Sequence, residues 1–160
     1  MVAHWTMAVP GRLDACLPPL VPLHFLADAP TYACFCRSWW DGSGMDAVAW
    51  WGSGDTHRRW VVNSGERTEP GAVLTGTHHW AAKAEIEQVI AQFQGLGLCA
   101  LRSQERKIIY THFDDWFGLK APGMTQSHWI QVCGGQHADR RCDALLDAVL
   151  ARCPELSFGA

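Results

Sequence analysis

The sequence predicts an α+β fold, a single domain with a mainly antiparallel sheet and two amphipathic helices packed on it. Three observations carry that prediction. Short segments of period-two alternation follow one another from Thr31 to Thr77, separated by glycine-rich turns. Two later segments, about 81–96 and 138–153, switch to the three-to-four spacing of a helix face. No repeat, low-complexity tract or linker interrupts this order, so strands and helices read as one unit. The expected boundaries are an irregular Pro-rich segment over 1–30, packed on a single domain over 31–160.

Pro10, Pro18, Pro19, Pro22 and Pro30 keep the first segment out of regular structure. Leu20, Val21, Leu23, Phe25 and Leu26 are the side chains with which it would wrap the domain. From Thr31 to Arg37, Tyr32, Cys34 and Cys36 face one way and Ala33, Phe35 and Arg37 the other, which predicts a strand. Asp41-Gly42-Ser43-Gly44 signals a turn, Asp46 to Trp51 a second strand, and Gly52-Ser53-Gly54-Asp55 another turn. Arg58 to Asn63 predicts a third strand, Ser64 to Gly71 a polar loop, and Ala72 to Thr77 a fourth strand of an antiparallel meander. Ile86, Val89, Ile90 and Phe93 then recur at helical spacing, in a helix that closes near Gly95 or Gly97. Leu98 to Leu101 and Lys107 to Phe113 read as hairpin strands, Gly118 to Gly123 as a loop, and Ser127 to Cys133 as a strand. Cys142, Leu145, Leu146, Val149, Leu150 and Cys153 repeat at helical spacing until Pro154 ends the run.

Composition narrows the class of function. A chain of 160 residues buries about 70% of its unfolded surface, so no staple is required. Its net charge is -3, and nothing supplies the basic stripe that nucleic-acid binding needs. The adjacent pairs Arg58-Arg59 and Arg140-Arg141 read as solvated faces. Leu17 to Ala27 is apolar but broken by Pro18, Pro19 and Pro22, and no membrane association is expected. Seven cysteines cannot all pair internally, and the chain exceeds the size class in which cysteine spacing implies a disulfide framework. A cytoplasmic location with mostly reduced thiols is the expectation.

Chemistry has fewer signals. His78, His79, His112 and His128 lie on or beside predicted strand ends, with Asp114 and Asp115 nearby. In extended chain His112 and Asp114 project to the same face. A hydrolase reading would use His112, Asp114 and His128 as its acid–base set. A metal reading would place a transition metal such as zinc on His78, His79, His112 and Asp114. No recognised metal spacing accompanies these residues, half-exposed histidines on loops and strand edges explain them more simply, and no cofactor is predicted. Cys34 and Cys36 read as small buried side chains, Cys99, Cys133, Cys142 and Cys153 as core, and Cys16 as the most exposed thiol. Ser43 and Ser53 sit in turns, not at a nucleophile elbow. Gly134-Gly135 opens the last helix without the lysine of a phosphate loop, and Glu85 and Glu87 point apart on a helix surface.

Nine tryptophans remain as the least ordinary feature. Trp60 and Trp129 fall in predicted strands, Trp80 precedes a helix and Trp116 follows a strand, so each has a core duty. Trp39, Trp40, Trp50 and Trp51 flank one turn, and with Asp41 and Asp46 they form a candidate binding patch: aromatic anchors with a charged rim. The leading expectation is a small protein-binding module of the inhibitor or immunity-protein type, whose partner is another protein and whose oligomeric state is open. The alternatives are the hydrolase above and a small-ligand binder with an aromatic pocket.

Overall fold

A computed structural model of the chain describes residues 21–39, 45–63, 76–103, 113–133 and 140–156. In chain order the elements are β1 (Thr31–Trp39), β2 (Met45–Ser53), β3 (Thr56–Asn63), β4 (Thr77–Trp80), α1 (Lys83–Gly95), β5 (Phe113–Lys120), β6 (His128–Cys133) and α2 (Arg140–Arg152). Short 3-10 segments lie at Val21–Asp28 and Leu98–Ala100. The strands form one sheet in the order β4-β3-β2-β1-β5-β6, antiparallel at every step. The fold is therefore α+β. The first four strands meander outward from β1, and the β5–β6 hairpin closes against the other side of β1.

Directly opposed residues share a face, so the register assigns the side chains. Ala33, Phe35, Val48, Trp50, Phe117 and Ile130 meet Ile86, Val89 and Phe93 of α1 and Leu145 and Val149 of α2. Tyr32, Cys34, Cys36, Ala47, Ala49, Trp60, Trp116 and Trp129 line the opposite face, where Leu23 and Leu26 of the first 3-10 segment pack on them. Phe25 packs beside them, half-buried, and Val21–Asp28 is a 3-10 segment where irregular chain is expected.

Three local expectations change. Leu98–Ala100 is a 3-10 turn instead of a strand: Gly97 leaves α1 at φ 82° and Leu98 drops into the core. β5 continues through Gly118 to Lys120, where a loop was expected. Gly118 is placed there by contact, because it lies opposite Trp129 and the indole ring fills the space a Cβ would take. Trp116 consequently lies inside β5, 1% exposed, and does not follow a strand. β4 begins at Thr77 instead of ending there; the expected strand residues 72–75 and 107–112 lie outside the described residues.

Alternation along β1 puts one charge among the buried side chains of the helix-facing side, Arg37. Its neighbours on β2 and β5 are Asp46 and Asp115. Arg37 Nε and Nη2 donate to Asp115 Oδ1 and Oδ2 at 2.7 and 2.9 Å. The guanidinium also sits 4.0 Å from the centre of the Phe113 ring. Deleting one member of such a buried pair costs about 3–5 kcal/mol, since the survivor stays desolvated and unpaired. At the other side of the sheet, Arg59 holds Glu155 at 2.8 Å and Asn63 Nδ2 donates to the Glu155 carbonyl, which ties the chain after α2 to β3.

The Gly118–Trp129 contact predicts a stability effect. Trp129 Nε1 donates to the Tyr32 hydroxyl at 3.1 Å, so the ring cannot retreat without losing that bond. Gly118→Ala should lower stability by about 1–3 kcal/mol, the usual cost of overpacking. Urea unfolding reads it, with Gly95→Ala as control because nothing stands within 4 Å of that Cβ. Equal midpoints for Gly118→Ala and the wild type would show that the indole is seated elsewhere.

Candidate functional site

Strand register separates the tryptophans expected to act together. Trp50 and Trp51 lie opposite Ala33 and Tyr32 near the start of β1, whereas Trp39 ends β1 opposite Phe113. Residues beside a hairpin turn stay close, while those further along its arms diverge from the turn. Trp50 is fully buried on the helix-covered face, and Asp46 is 3% exposed on the same face beside Arg37. Burying one indole removes on the order of 200 Å² from water, about 5 kcal/mol at most, against about 1–3 kcal/mol for its unpaired N–H. Burial wins, which is why Trp50 and Trp116 stay inside although neither Nε1 finds an acceptor among the described residues. Trp39 packs edge-on against Phe113, with ring centres 4.8 Å apart. Trp40 and Asp41 lie outside the described residues. The patch of Trp39, Trp40, Trp50, Trp51, Asp41 and Asp46 is therefore not assembled among the described residues.

Sheet order disperses the histidines in the same way. His78 and His79 are on β4 at one edge, His128 is on β6 at the other, and Asp114 is on β5. At ~4.8 Å per strand the two edges stand roughly 24 Å apart. His128 Nε2 pairs with the Leu101 carbonyl at 2.9 Å, and Asp114 Oδ2 accepts from Gln131 Nε2 at 3.0 Å. His112 lies outside the described residues. Among the described residues no three His, Cys, Asp or Glu side chains gather as a metal site would require. The described members of the catalytic set and of the zinc set are thus not brought together.

The thiols are placed for packing. Burial alone holds the Cys34 thiol far above its usual range; burial, then the nearby Cys34, Asp115 and Asp46, does the same to Cys36. Cys153 is pushed up to about 11 by burial and by Glu155. A thiol kept protonated is a poor nucleophile. Cys99, expected in the core, is exposed on the 3-10 turn after α1. Cys142 and Cys153 are buried as expected, and the side chains of Cys16 and Cys133 are not among those described.

One corner of the sheet gathers aromatic and cationic groups that packing does not consume. On the face away from the helices, Tyr32, Trp51, Arg58 and Trp80 line up across β1, β2, β3 and β4. Trp80 is 78% exposed. The Arg58 guanidinium lies over its ring, 4.3 Å from the centre. In the next row His78 meets Phe25 and Trp51 edge-on, at 5.2 and 5.9 Å between ring centres. Phe25 also touches Trp60. Partial desolvation, then the Arg58 and His79 charges, hold His78 below the ordinary imidazole value. Its folded form therefore binds a proton less readily than the unfolded chain, so this residue lowers stability as pH falls below the ordinary value. The effect is small because His78 is exposed.

A single exposed indole is common and needs no explanation. Trp80 differs in its company: it continues a connected row of Tyr32, Trp51 and Arg58, in which Trp51 Nε1 and Arg58 Nε are shielded from water without an acceptor among the described residues. Sequence reading misses this corner because exposure at β4 follows from strand order, and adjacent residues of a strand face opposite ways. Arg58-Arg59 looks like one solvated pair, yet Arg59 binds Glu155 on one face while Arg58 carries Trp80 on the other. No helix among the described residues is long and apolar enough to cross a membrane. No family model matches the chain, and no curated protein matches it in sequence.

The thiol geometry is directly testable. Brief treatment of the native protein with a disulfide reagent, followed by site mapping by mass spectrometry, should mark Cys99 while leaving Cys34, Cys36, Cys142 and Cys153 unmodified until denaturant is added. Early labelling of Cys34 or Cys36 would mean that this face of the sheet is open.

Proposed function

We propose that this chain is a protein-binding module of the inhibitor or immunity-protein type, and that it meets its partner through the Trp80 corner. The observation that carries this reading is the 78% exposure of Trp80 on a seat provided by Arg58. Tryptophan and arginine are the side chains that most often dominate binding energy at protein interfaces. A ring already held by a guanidinium loses less freedom on association, where ordering one long side chain costs about 0.5–1.5 kcal/mol. The described histidines and Asp114 serve separate places in the fold, which leaves the hydrolase alternative without a described site. A reducing, cytoplasmic setting belongs to the same proposal, in keeping with Cys34, Cys36, Cys99 and Cys153 being thiols and not disulfides.

Partner retention tests it. Proteins captured from the producing cells by the immobilised wild type, Trp80→Ala and Lys83→Ala are quantified by mass spectrometry, and affinities are then measured for any partner held by the wild type. A hot-spot indole predicts a loss of roughly 30-fold or more for Trp80→Ala, corresponding to about 2 kcal/mol. Lys83→Ala should bind as the wild type does, since that side chain is 73% exposed and engaged with Glu87 on α1. Equal retention by all three forms would remove this corner from the interface.

A further inference from the structure

We infer that the segment seated at this corner is an acidic stretch of extended chain in the partner, adding to the sheet beside β4. The inference rests on the binding-module reading above and gives its partner a chemistry.

Backbone geometry supplies the first argument. Among the described residues β4 is the outermost strand on its side of the sheet. Ala81 N–H donates to the His57 carbonyl at 3.1 Å, which sets the alternation of the β3–β4 ladder. Counting from it, His79 and Thr77 exchange bonds with Arg59 and Val61, while the N–H and C=O of His78 and Trp80 point away from β3. An extended segment laid there finds two residues whose backbone groups have no partner among the described residues, the requirement for strand addition.

Charge supplies the second. Arg37 and Arg59 each hold a carboxylate, at 2.7 and 2.8 Å. Among the described residues Arg58 has no such carboxylate; its guanidinium lies over the Trp80 ring. The chain as a whole carries -3, so this corner is opposite in sign to the average surface. A neutral or basic segment would desolvate Arg58 without compensation, whereas a carboxylate gives it a charge-assisted, bidentate partner. Alternate residues of an added strand face the Trp80 side, so acidic side chains are needed only at every second position.

A library of random octapeptides screened against the full-length chain, with Trp80→Ala as counter-screen, tests this. The expected outcome is enrichment of peptides with net negative charge. Arg58→Gln should weaken them at least tenfold, and Arg58→Lys should restore part of the loss. In ¹⁵N NMR the His78 and Trp80 amides should become protected from hydrogen exchange on binding. Enrichment of neutral or basic peptides, unchanged binding by Arg58→Gln, or no peptide that depends on Trp80 would overturn the inference. If a native partner is lost on Trp80→Ala while the selected peptides are neutral or basic, the contact surface stands and the acidic strand falls. If the native partner ignores Trp80→Ala, the binding-module reading itself falls.

Discussion

Burial of β1 on both faces is the constraint on which the rest of this structure depends. Tyr32 to Ser38 are buried without a break, so β1 needs a strand on each side and a layer above and below. β2 and β5 supply the strands, α1 and α2 the upper layer, and the 3-10 segment Val21–Asp28 part of the lower one. A polar side chain inside such a sandwich must bring its own partner, and Arg37 does so by closing on Asp115 of the neighbouring strand. The ion pair is a consequence of two-sided burial, and it fixes β5 to β1 in register.

The second consequence is the fate of the indoles. On the face opposite the helices, large rings alternate with small residues: Trp129 lies over Gly118, and Cys34, Cys36, Ala47 and Ala49 share a core with Trp60, Trp116 and Tyr32. That arrangement lets several wide aromatic side chains occupy one layer at interior packing density. The high tryptophan count is therefore first a packing device. The proposed binding role belongs to the sheet edge, where β4 is the outermost described strand and Trp80 is exposed beside Arg58.

Much of the fold was legible from local pattern. Period-two alternation located β1, β2, β3 and β6, and helical spacing located α1 and α2, because these elements bury one face or two on a regular repeat. What local pattern could not reach was long-range. Gly118 looked like a loop residue because only the Trp129 ring across the strand pair explains it. Trp39 and Trp50 looked like neighbours because sequence proximity to a turn does not reveal how far each lies along the hairpin arms. His78 and His128 looked like one cluster until strand order put them on opposite edges. Trp80 looked like a core residue, and its exposure follows from β4 being an edge, a property of the whole sheet.

The central claim is that packing consumes the indoles of the sheet interior and leaves Trp80 outside. A soluble paramagnetic agent that broadens the NMR signals of accessible indole N–H groups tests it most directly, with each signal assigned by single Trp→Phe substitution. Strong broadening is expected for Trp80, and sharp, persistent signals for Trp50, Trp60, Trp116 and Trp129. A sharp Trp80 signal, or a Trp50 signal broadened to the same degree as Trp80, would contradict it.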